Sequence, residues 1–487
     1  MIVRRVAAAT LAVVLGAGVV PATAADDRPA ALELPPPPPP PAAPAARPVA
    51  AHPGLAELLR RLQRFPQTRP RGSVALAVTA GDGSLLVTRR ARQPMLPAST
   101  TKLVTAAAAL RILGPTHRFV TRVYATRPPD PSGVVDGDLV IVGGGDPVLS
   151  TPLFRRRVNM TRPATPLGRL AARAARSGIT RITGRVRADA SILADQPLAA
   201  GWPDTYLTSL DTTRVSGLTV DAGLRLLRRG GQLRGEPAAD PARRTSRELD
   251  RLLGRHGVRV AGTAGIGALP PGAVEVARIA SPPLADLLRH MLRFSDNHLA
   301  DGVFRMLGAA TGDPTWRGGA RGTRAALAEI DWRGLRLADG SGLSRRDRLS
   351  ATALVDVLAA MADGPLRGPW LRLLPVAGRT GTVAGRWTGT QAVGRVHAKT
   401  GTLRDVRALA ATVPGSRGHD HHIAVVANDL PTYDDVAASR RLADVLALAV
   451  VAAEDGCRGP VRGPTADERR PPEHRICGAP TRRRSRR

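Results

Sequence analysis

Ser99 and Lys102 stand three residues apart in Pro97-Ala98-Ser99-Thr100-Thr101-Lys102, at the mouth of an apolar run in which Leu103, Ala106, Ala107 and Leu110 recur at helical spacing. Positions i and i+3 of a helix share a face, so the hydroxyl and the amine can hydrogen-bond. A serine hydroxyl is a poor nucleophile until a neighbouring base takes its proton, and a lysine whose pKa is lowered by burial and a nearby cation can be that base. Composition sharpens the point. Of 71 basic residues, only Lys102 and Lys399 are lysine. Arginine supplies positive charge equally well but does not lose its proton in a protein. Two lysines that survive an otherwise complete arginine preference point to proton transfer, and the chemistry they suit is acyl transfer through a serine.

A lone Ser-x-x-Lys occurs by chance in many helices, so the weight falls on two further segments. Ser295-Asp296-Asn297 follows an apolar helix; its hydroxyl can relay a proton to a leaving nitrogen, its carboxamide can hold a substrate amide, and Asp296 turns the segment between them. His397-Ala398-Lys399-Thr400-Gly401-Thr402 lies on a predicted strand. Residues two apart on a strand share a face, so Lys399 and Gly401 line one side. The missing side chain at Gly401 is expected to let a substrate lie against the strand edge, and the hydroxyls of Thr400 and Thr402, beside the Lys399 charge, suit a carboxylate. Ser-x-x-Lys, Ser-Asp-Asn and Lys-Thr-Gly in this order mark serine β-lactamases and penicillin-binding proteins.

From about Leu55 to Ala453 the chain resembles the class C low-molecular-mass penicillin-binding proteins, the D-alanyl-D-alanine carboxypeptidases/endopeptidases. Gly143-Gly144-Gly145-Asp146-Pro147, Asp339-Gly340-Ser341-Gly342-Leu343-Ser344, and Leu374-Pro375-Val376-Ala377-Gly378 with Gly381-Thr382 carry the resemblance beyond the three motifs. It implies an α+β transpeptidase fold, an antiparallel sheet with helices on both faces, interrupted by one or two nested extra domains. The implied activity is cleavage of the terminal D-alanine or of D-alanine cross-links in peptidoglycan, with reaction toward β-lactams and no cofactor or metal. By the same resemblance Ser99 is acylated, Lys102 is its base, Ser295 and Lys399 shuttle the proton, Asn297 holds the substrate, and the N–H groups of Ser99 and Thr402 form the oxyanion hole. Arg379-Thr380-Gly381-Thr382 mimics the third motif but is set aside, because arginine does not shuttle a proton. Asp301 stands where the family often has glutamate, and Arg346-Asp347-Arg348 departs from its pattern; neither is expected to touch the proton path. A serine β-lactamase and a non-catalytic wall-binding scaffold are the alternatives weighed.

The elements that must position these residues can be read in order. Residues 1–24 form a signal peptide: Arg4 and Arg5, an apolar run from Val6 to Val20, then Ala22-Thr23-Ala24. Export follows. Residues 25–53 are a proline- and alanine-rich spacer. Leu55–Leu62 reads as a short amphipathic helix, and Ser73–Thr79 with Ser84–Thr88 as a hairpin across Gly81-Asp82-Gly83. Nearly two hundred residues then separate the serine helix from Ser295, far more than a connection needs, so 118–280 is an inserted region, and 54–117 with 281–456 is a split catalytic domain. Within the insertion, Val134–Val142 and Ile182–Ala188 read as strands and Leu167–Ser177 as a helix. Helices are expected at Leu284–Phe294, after Asn297, at Ala325–Ile330 and at Ser350–Met361. Strands at 395–402, 405–413 and 422–428 precede a long helix from about Tyr433 to Ala453.

The net charge of +31 is spread over the body and concentrated in the tail, 457–487, where ten arginines face three acids. A basic surface fits anionic wall polymers or lipid headgroups. With aromatics at 3% there is little for nucleic-acid bases to stack on. Cys457 and Cys477 can close a disulfide in an oxidising compartment, two unpaired thiols being the alternative. His419, Asp420, His421 and His422 crowd one hairpin and read as solvated side chains in preference to metal ligands. His397 is taken as packed or partly exposed, and Asn159-Met160-Thr161 as a glycosylation-like pattern without a use.

Overall fold

The computed structural model describes residues 69–454 except 81–82, 158–160, 231 and 416–419. The signal peptide, spacer, helix at 55–62, Asn159, His419, the Cys457–Cys477 pair and the basic tail lie outside the described residues.

A five-stranded antiparallel sheet organises the part of the chain that carries Lys399, in the order His397–Leu403, Val406–Val413, His421–Asn428, Ser73–Thr79, Leu85–Arg89. Its strands alternate two apolar sets. Ala75, Ala77, Ala408, Ala410 and Ala424 face the serine helix, Thr101–Ile112, and the helices around it. Leu76, Val78, Leu409, Ala411 and Val425 face the C-terminal helix, Tyr433–Glu454. On this alanine-lined face the helix that packs against strands Ser73–Thr79, Val406–Val413 and His421–Asn428 is Ala351–Ala362, which in turn packs against the serine helix. The serine helix is buried on every side from Thr101 to Leu110, more enclosed than the one-sided spacing of its leucines and alanines predicts. Alanine marks neither face, so a fully buried helix can pass for a half-buried one.

Residues between Val120 and Ala280 build sheets of their own. The larger runs Gly265–Ile266, Val186–Asp189, Leu139–Val142, Val120–Ala125, Val274–Ala280, and helices Leu167–Arg176 and Pro241–Gly254 pack into the same core as its strands. The expected strand at Ile182–Ala188 is two pieces, Arg181–Ile182 and Val186–Asp189, which belong to different sheets. The helix expected at Ala325–Ile330 lies instead at Trp316–Ala326. Helices Leu284–Phe294, Asn297–Ala310 and Ala351–Ala362 fall where the periodicity puts them.

Asp420 and His422 are buried, against the expectation of a solvated hairpin: Asp420 accepts from Arg367 at 2.7 Å and His422 packs against Thr412 at 3.1 Å. His421 contacts Glu454 and the Thr79 carbonyl. The polar cluster spends its valences on the fold. His397 is half-buried, with Nδ1 3.2 Å from the Leu371 carbonyl, and burial lowers its pKa.

Candidate active site

Ser99 sits on a single 3-10 turn, Ala98–Thr100, that leads into the serine helix. Ala98 holds a left-handed φ of 48°, a conformation costly for an L-residue. Threonine hydroxyls brace the turn, Thr100 Oγ1 donating to Pro97 O at 2.6 Å and Thr101 Oγ1 to Ala98 O at 3.0 Å. Two glycines seat it. A Cβ on Gly342, which has φ +80°, would lie 1.9 Å from Ala98 O; one on Gly401 would lie 2.8 Å from Pro97 O and 3.2 Å from Ala98 Cβ. The bare face of Gly401 therefore receives the serine turn, where the sequence suggested room for substrate.

Lys102 Nζ, fully buried, lies 2.9 Å from Ser99 Oγ, 2.7 Å from Asn297 Oδ1 and 2.6 Å from Ser341 O. The last two can only accept. When the amine is neutral its two N–H bonds are committed to them, which leaves the lone pair for the Ser99 hydroxyl, the one partner able to donate. Burial pushes the Lys102 pKa down to about 8, against the pull of Asp301, Asp339, Asp296 and Asp347. Asp301 and Asp347 act on Lys102 through their charge alone, and accept hydrogen bonds from the backbone of Ala338, Asp339 and Gly340. Asp301, Asp339 and Asp347 are all fully buried. Asp339 accepts from the backbone N–H groups of Ser341, Gly342 and Ser344 at 3.1, 2.6 and 2.7 Å, holding the turn whose Ser341 carbonyl touches Lys102. Burial, and then the Asp339 charge, push the carboxyls of Asp301 and Asp347 well above the usual range.

Helix Leu284–Phe294 ends at Ser295 in a left-handed conformation, φ 58°. Asp296 opens the next helix by accepting from Leu299 N at 3.0 Å, the turning role the sequence gave it. This break aims Ser295 Oγ at Lys399 Nζ, 3.0 Å away, while Lys399 also donates to Thr400 O at 2.7 Å. Lys399 is fully buried, and burial followed by the charge of Lys102 brings its pKa well below normal. Asn297 Nδ2 donates to Asp211 O at 2.7 Å.

Ser99, Ser295, Asn297, Thr400 and Thr402 line one cleft of about 480 Å³, together with Tyr206, Asp211, Leu343, Thr382, Leu403 and Arg404. Thr400 and Thr402 reach it from the strand face opposite Lys399: Thr400 is paired with Leu409 of the C-terminal-helix core, Lys399 with Ala410 of the serine-helix core. The Lys399 amine nonetheless reaches the Thr400 carbonyl and the Ser295 hydroxyl of the same cleft. Sequence reasoning missed the Ser341 carbonyl, the three buried aspartates, Thr382, whose Oγ1 accepts from Thr400 at 2.8 Å, and the Tyr206–Asp211 wall. The glycines flanking Ser341 were the available signal for a tight turn; Asp301, Asp339, Asp347 and Thr382 were noted only as parts of the family pattern or departures from it, without these roles, and nothing local marked the Tyr206–Asp211 wall.

The profile of the D-Ala-D-Ala carboxypeptidase 3 (S13) family matches residues 56–239 and 235–449. A D-alanyl-D-alanine carboxypeptidase from an Actinomadura species is 32% identical over 421 residues, covering 71% of this chain and 76% of that one. A carboxypeptidase from Mycobacterium tuberculosis is 33% identical over 390 residues, covering 78% and 81%. Among solved structures, penicillin binding protein 4 from Haemophilus influenzae shares the fold, with a TM-score of 0.66 at 23% identity, covering 80% of this chain and 99% of that one.

Proposed function

Because the chain belongs to this carboxypeptidase family, we propose that it is an exported serine DD-peptidase that cleaves D-Ala-D-Ala ends or D-alanine cross-links of peptidoglycan stem peptides and is acylated by penicillins. One observation carries the assignment. The two lysines of the sequence are both fully buried, and each touches a serine hydroxyl of the same cleft. Burying two amines without a carboxylate in contact is costly unless they are neutral, and a neutral amine beside a hydroxyl is a base.

In this reading Lys102 takes the Ser99 proton as Oγ attacks the carbonyl carbon of the penultimate D-alanine. The N–H groups of Ser99 and Thr402 stabilise the oxyanion. Collapse breaks the C–N bond, and a proton passes through Ser295 Oγ, in contact with Lys399, to the departing nitrogen. Water then takes the place of the amine, gives its proton to the same base, and the ester of Ser99 is hydrolysed to a free carboxylate with the hydroxyl restored. Residues 54–117 and 281–456 carry these steps, 118–280 forms an insertion that walls the cleft, and the basic tail contacts anionic wall polymer.

The test is covalent labelling by fluorescent penicillin together with release of D-alanine from a peptide ending in D-Ala-D-Ala. The wild-type protein is labelled and releases D-alanine, and Ser99→Ala does neither. Full labelling of Ser99→Ala would reject Ser99 as the nucleophile.

A further inference from the structure

The chain reaches the Ser99 turn through Leu96 and Pro97, which belong to no helix or strand. Backbone groups buried in such a stretch still need partners. Met95 finds them in the backbone of Leu349, donating to Leu349 O at 2.8 Å and accepting from Leu349 N at 2.9 Å. Successive residues of an extended chain turn their backbone groups to opposite edges, so Leu96 looks the other way. There it meets a side chain: Asn428 Oδ1 accepts from Leu96 N at 2.7 Å, and Asn428 Nδ2 donates to Leu96 O at 3.0 Å.

The Asn428 amide thus does what a strand residue does in an antiparallel pair, exchanging both hydrogen bonds with one residue opposite. It has a firm base for this. Asn428 is 5% exposed and ends the strand His421–Asn428, its own backbone in register with Ser73. Beyond Leu96, Pro97 has no N–H, and the carbonyls of Pro97 and Ala98 accept from the hydroxyls of Thr100 and Thr101 inside the turn. The side chains of Leu96 and Ala98 form a small buried cluster with Val406. Leu96 is therefore where the sheet that carries Lys399 takes hold of the chain, three residues ahead of Ser99.

We infer that Asn428 is a positioning residue for Ser99: its side-chain amide sets the height of the serine turn over the sheet, and with it the approach of Ser99 Oγ to Lys102. The inference rests on Ser99 being the nucleophile of the peptidase reading and adds to it a residue that lines no part of the cleft. The residue type follows from the two groups served. Leu96 presents one donor and one acceptor, and a carboxamide offers one of each side by side. Aspartate has the same shape but only acceptors when ionised, so the Leu96 carbonyl would face an oxygen. Serine is too short to bind both groups.

The experiment follows acylation by a penicillin in rapid mixing, which separates the dissociation constant of the first complex from the rate constant of acylation. Wild type, Asn428→Asp, Asn428→Ser and Thr79→Val are compared, each with its denaturant midpoint. Thr79→Val is the control: it removes a buried acceptor, 3.1 Å from His422 N, in the same sheet but at the far end of strand Ser73–Thr79 from the residue that faces Asn428. Both Asn428 variants lower the acylation rate constant about a hundred-fold, the cost of misplacing a nucleophile by about an ångström, and leave the dissociation constant unchanged. Thr79→Val unfolds at lower denaturant yet is acylated at the wild-type rate. If Asn428→Asp, which buries a carboxylate, fails to fold, Asn428→Ser decides, because its smaller side chain leaves room for water at Leu96. A wild-type rate constant in Asn428→Ser, or an equal loss in Thr79→Val, overturns the inference. Wild-type protein that takes no penicillin label overturns the peptidase reading, and the inference with it.

Discussion

Lys102 is placed between two opposing influences, and their balance sets the pH at which it can act. Burial strips water from the ammonium and favours the neutral amine; Asp301, Asp339, Asp296 and Asp347 favour the charged form. Burial wins, leaving the pKa at about 8. Below that value all three N–H bonds are donated to Ser99, Asn297 and Ser341 and no lone pair faces the hydroxyl. The second-order rate of acylation by penicillin therefore rises with pH along a limb with an apparent pKa near 8. Asp301→Asn keeps the shape of the side chain and the acceptor for Gly340 N, 3.0 Å away, while abolishing the ionisation by which that carboxyl favours a charged Lys102. The limb then moves to lower pH. Stopped-flow acylation across pH measures both, and a limb that stays in place in Asp301→Asn would deny that carboxylate any hold on the base.

At the scale of elements, the Ser99 turn is seated between Gly401 of a strand and Gly342 of a loop. Gly401→Ala puts a methyl 2.8 Å from the Pro97 carbonyl and 3.0 Å from Ala408 Cβ. Backbone cannot yield as a flexible side chain can, so the Ser99 turn must shift. Overpacking of this kind costs about 1–3 kcal/mol of stability, whereas misplacing a nucleophile by about an ångström can cost 10²-fold in rate. The expected outcome is a protein that still melts cooperatively but is acylated about a hundred-fold more slowly; a wild-type acylation rate would show that Gly401 does not position the turn. The same elements show what the sequence could reveal. The three motifs are local patterns, so Ser99–Lys102 was legible as a pair from helical spacing, whereas Ser295 and Lys399, 104 residues apart, were paired only by what the family resemblance implies. Helix Trp316–Ala326 was not, because Gly318, Gly319 and Gly322 argue against helix by intrinsic propensity. Tertiary contact overrides that: a Cβ on Gly318 would meet Asp313 O at 1.9 Å and one on Gly319 would meet Phe304 O at 2.6 Å. The buried aspartates were illegible for a different reason. Asp301, Asp339 and Asp347 have no common local pattern and converge on Lys102 only once the chain is folded.

At the scale of the whole molecule, the inserted residues complete the cleft. Trp202 Nε1 donates to Asp339 Oδ2 at 2.7 Å, Ser344 Oγ donates to Ala200 O at 2.6 Å, and the Asp211 carbonyl accepts from Asn297, so both the turn beneath Lys102 and the Asn297 amide are steadied by residues between Val120 and Ala280. One further tie is ionic. Arg162 Nε lies 3.2 Å from Asp296 Oδ2, with side chains only 5% and 14% exposed. Burial alone would raise the Asp296 pKa, but Arg162 and the hydrogen bond from His290 overcome it and hold the carboxyl below the usual carboxylate range. A carboxyl whose folded pKa is depressed contributes stability that is fully present above its unfolded pKa, near 4, and is lost as pH falls toward the folded value. Asp296→Ala leaves the Arg162 guanidinium buried without its carboxylate, which costs about 3–5 kcal/mol, and removes the cap of helix Asn297–Ala310, worth about 1 kcal/mol more. Denaturant unfolding at pH 7 should show a loss of that size, with a shallower acid dependence than wild type below pH ~4. A loss under about 1 kcal/mol would mean that hydrophobic contact alone seats the insertion, and the ion pair beside Asn297 would then have to be explained by the alignment of that amide with Lys102.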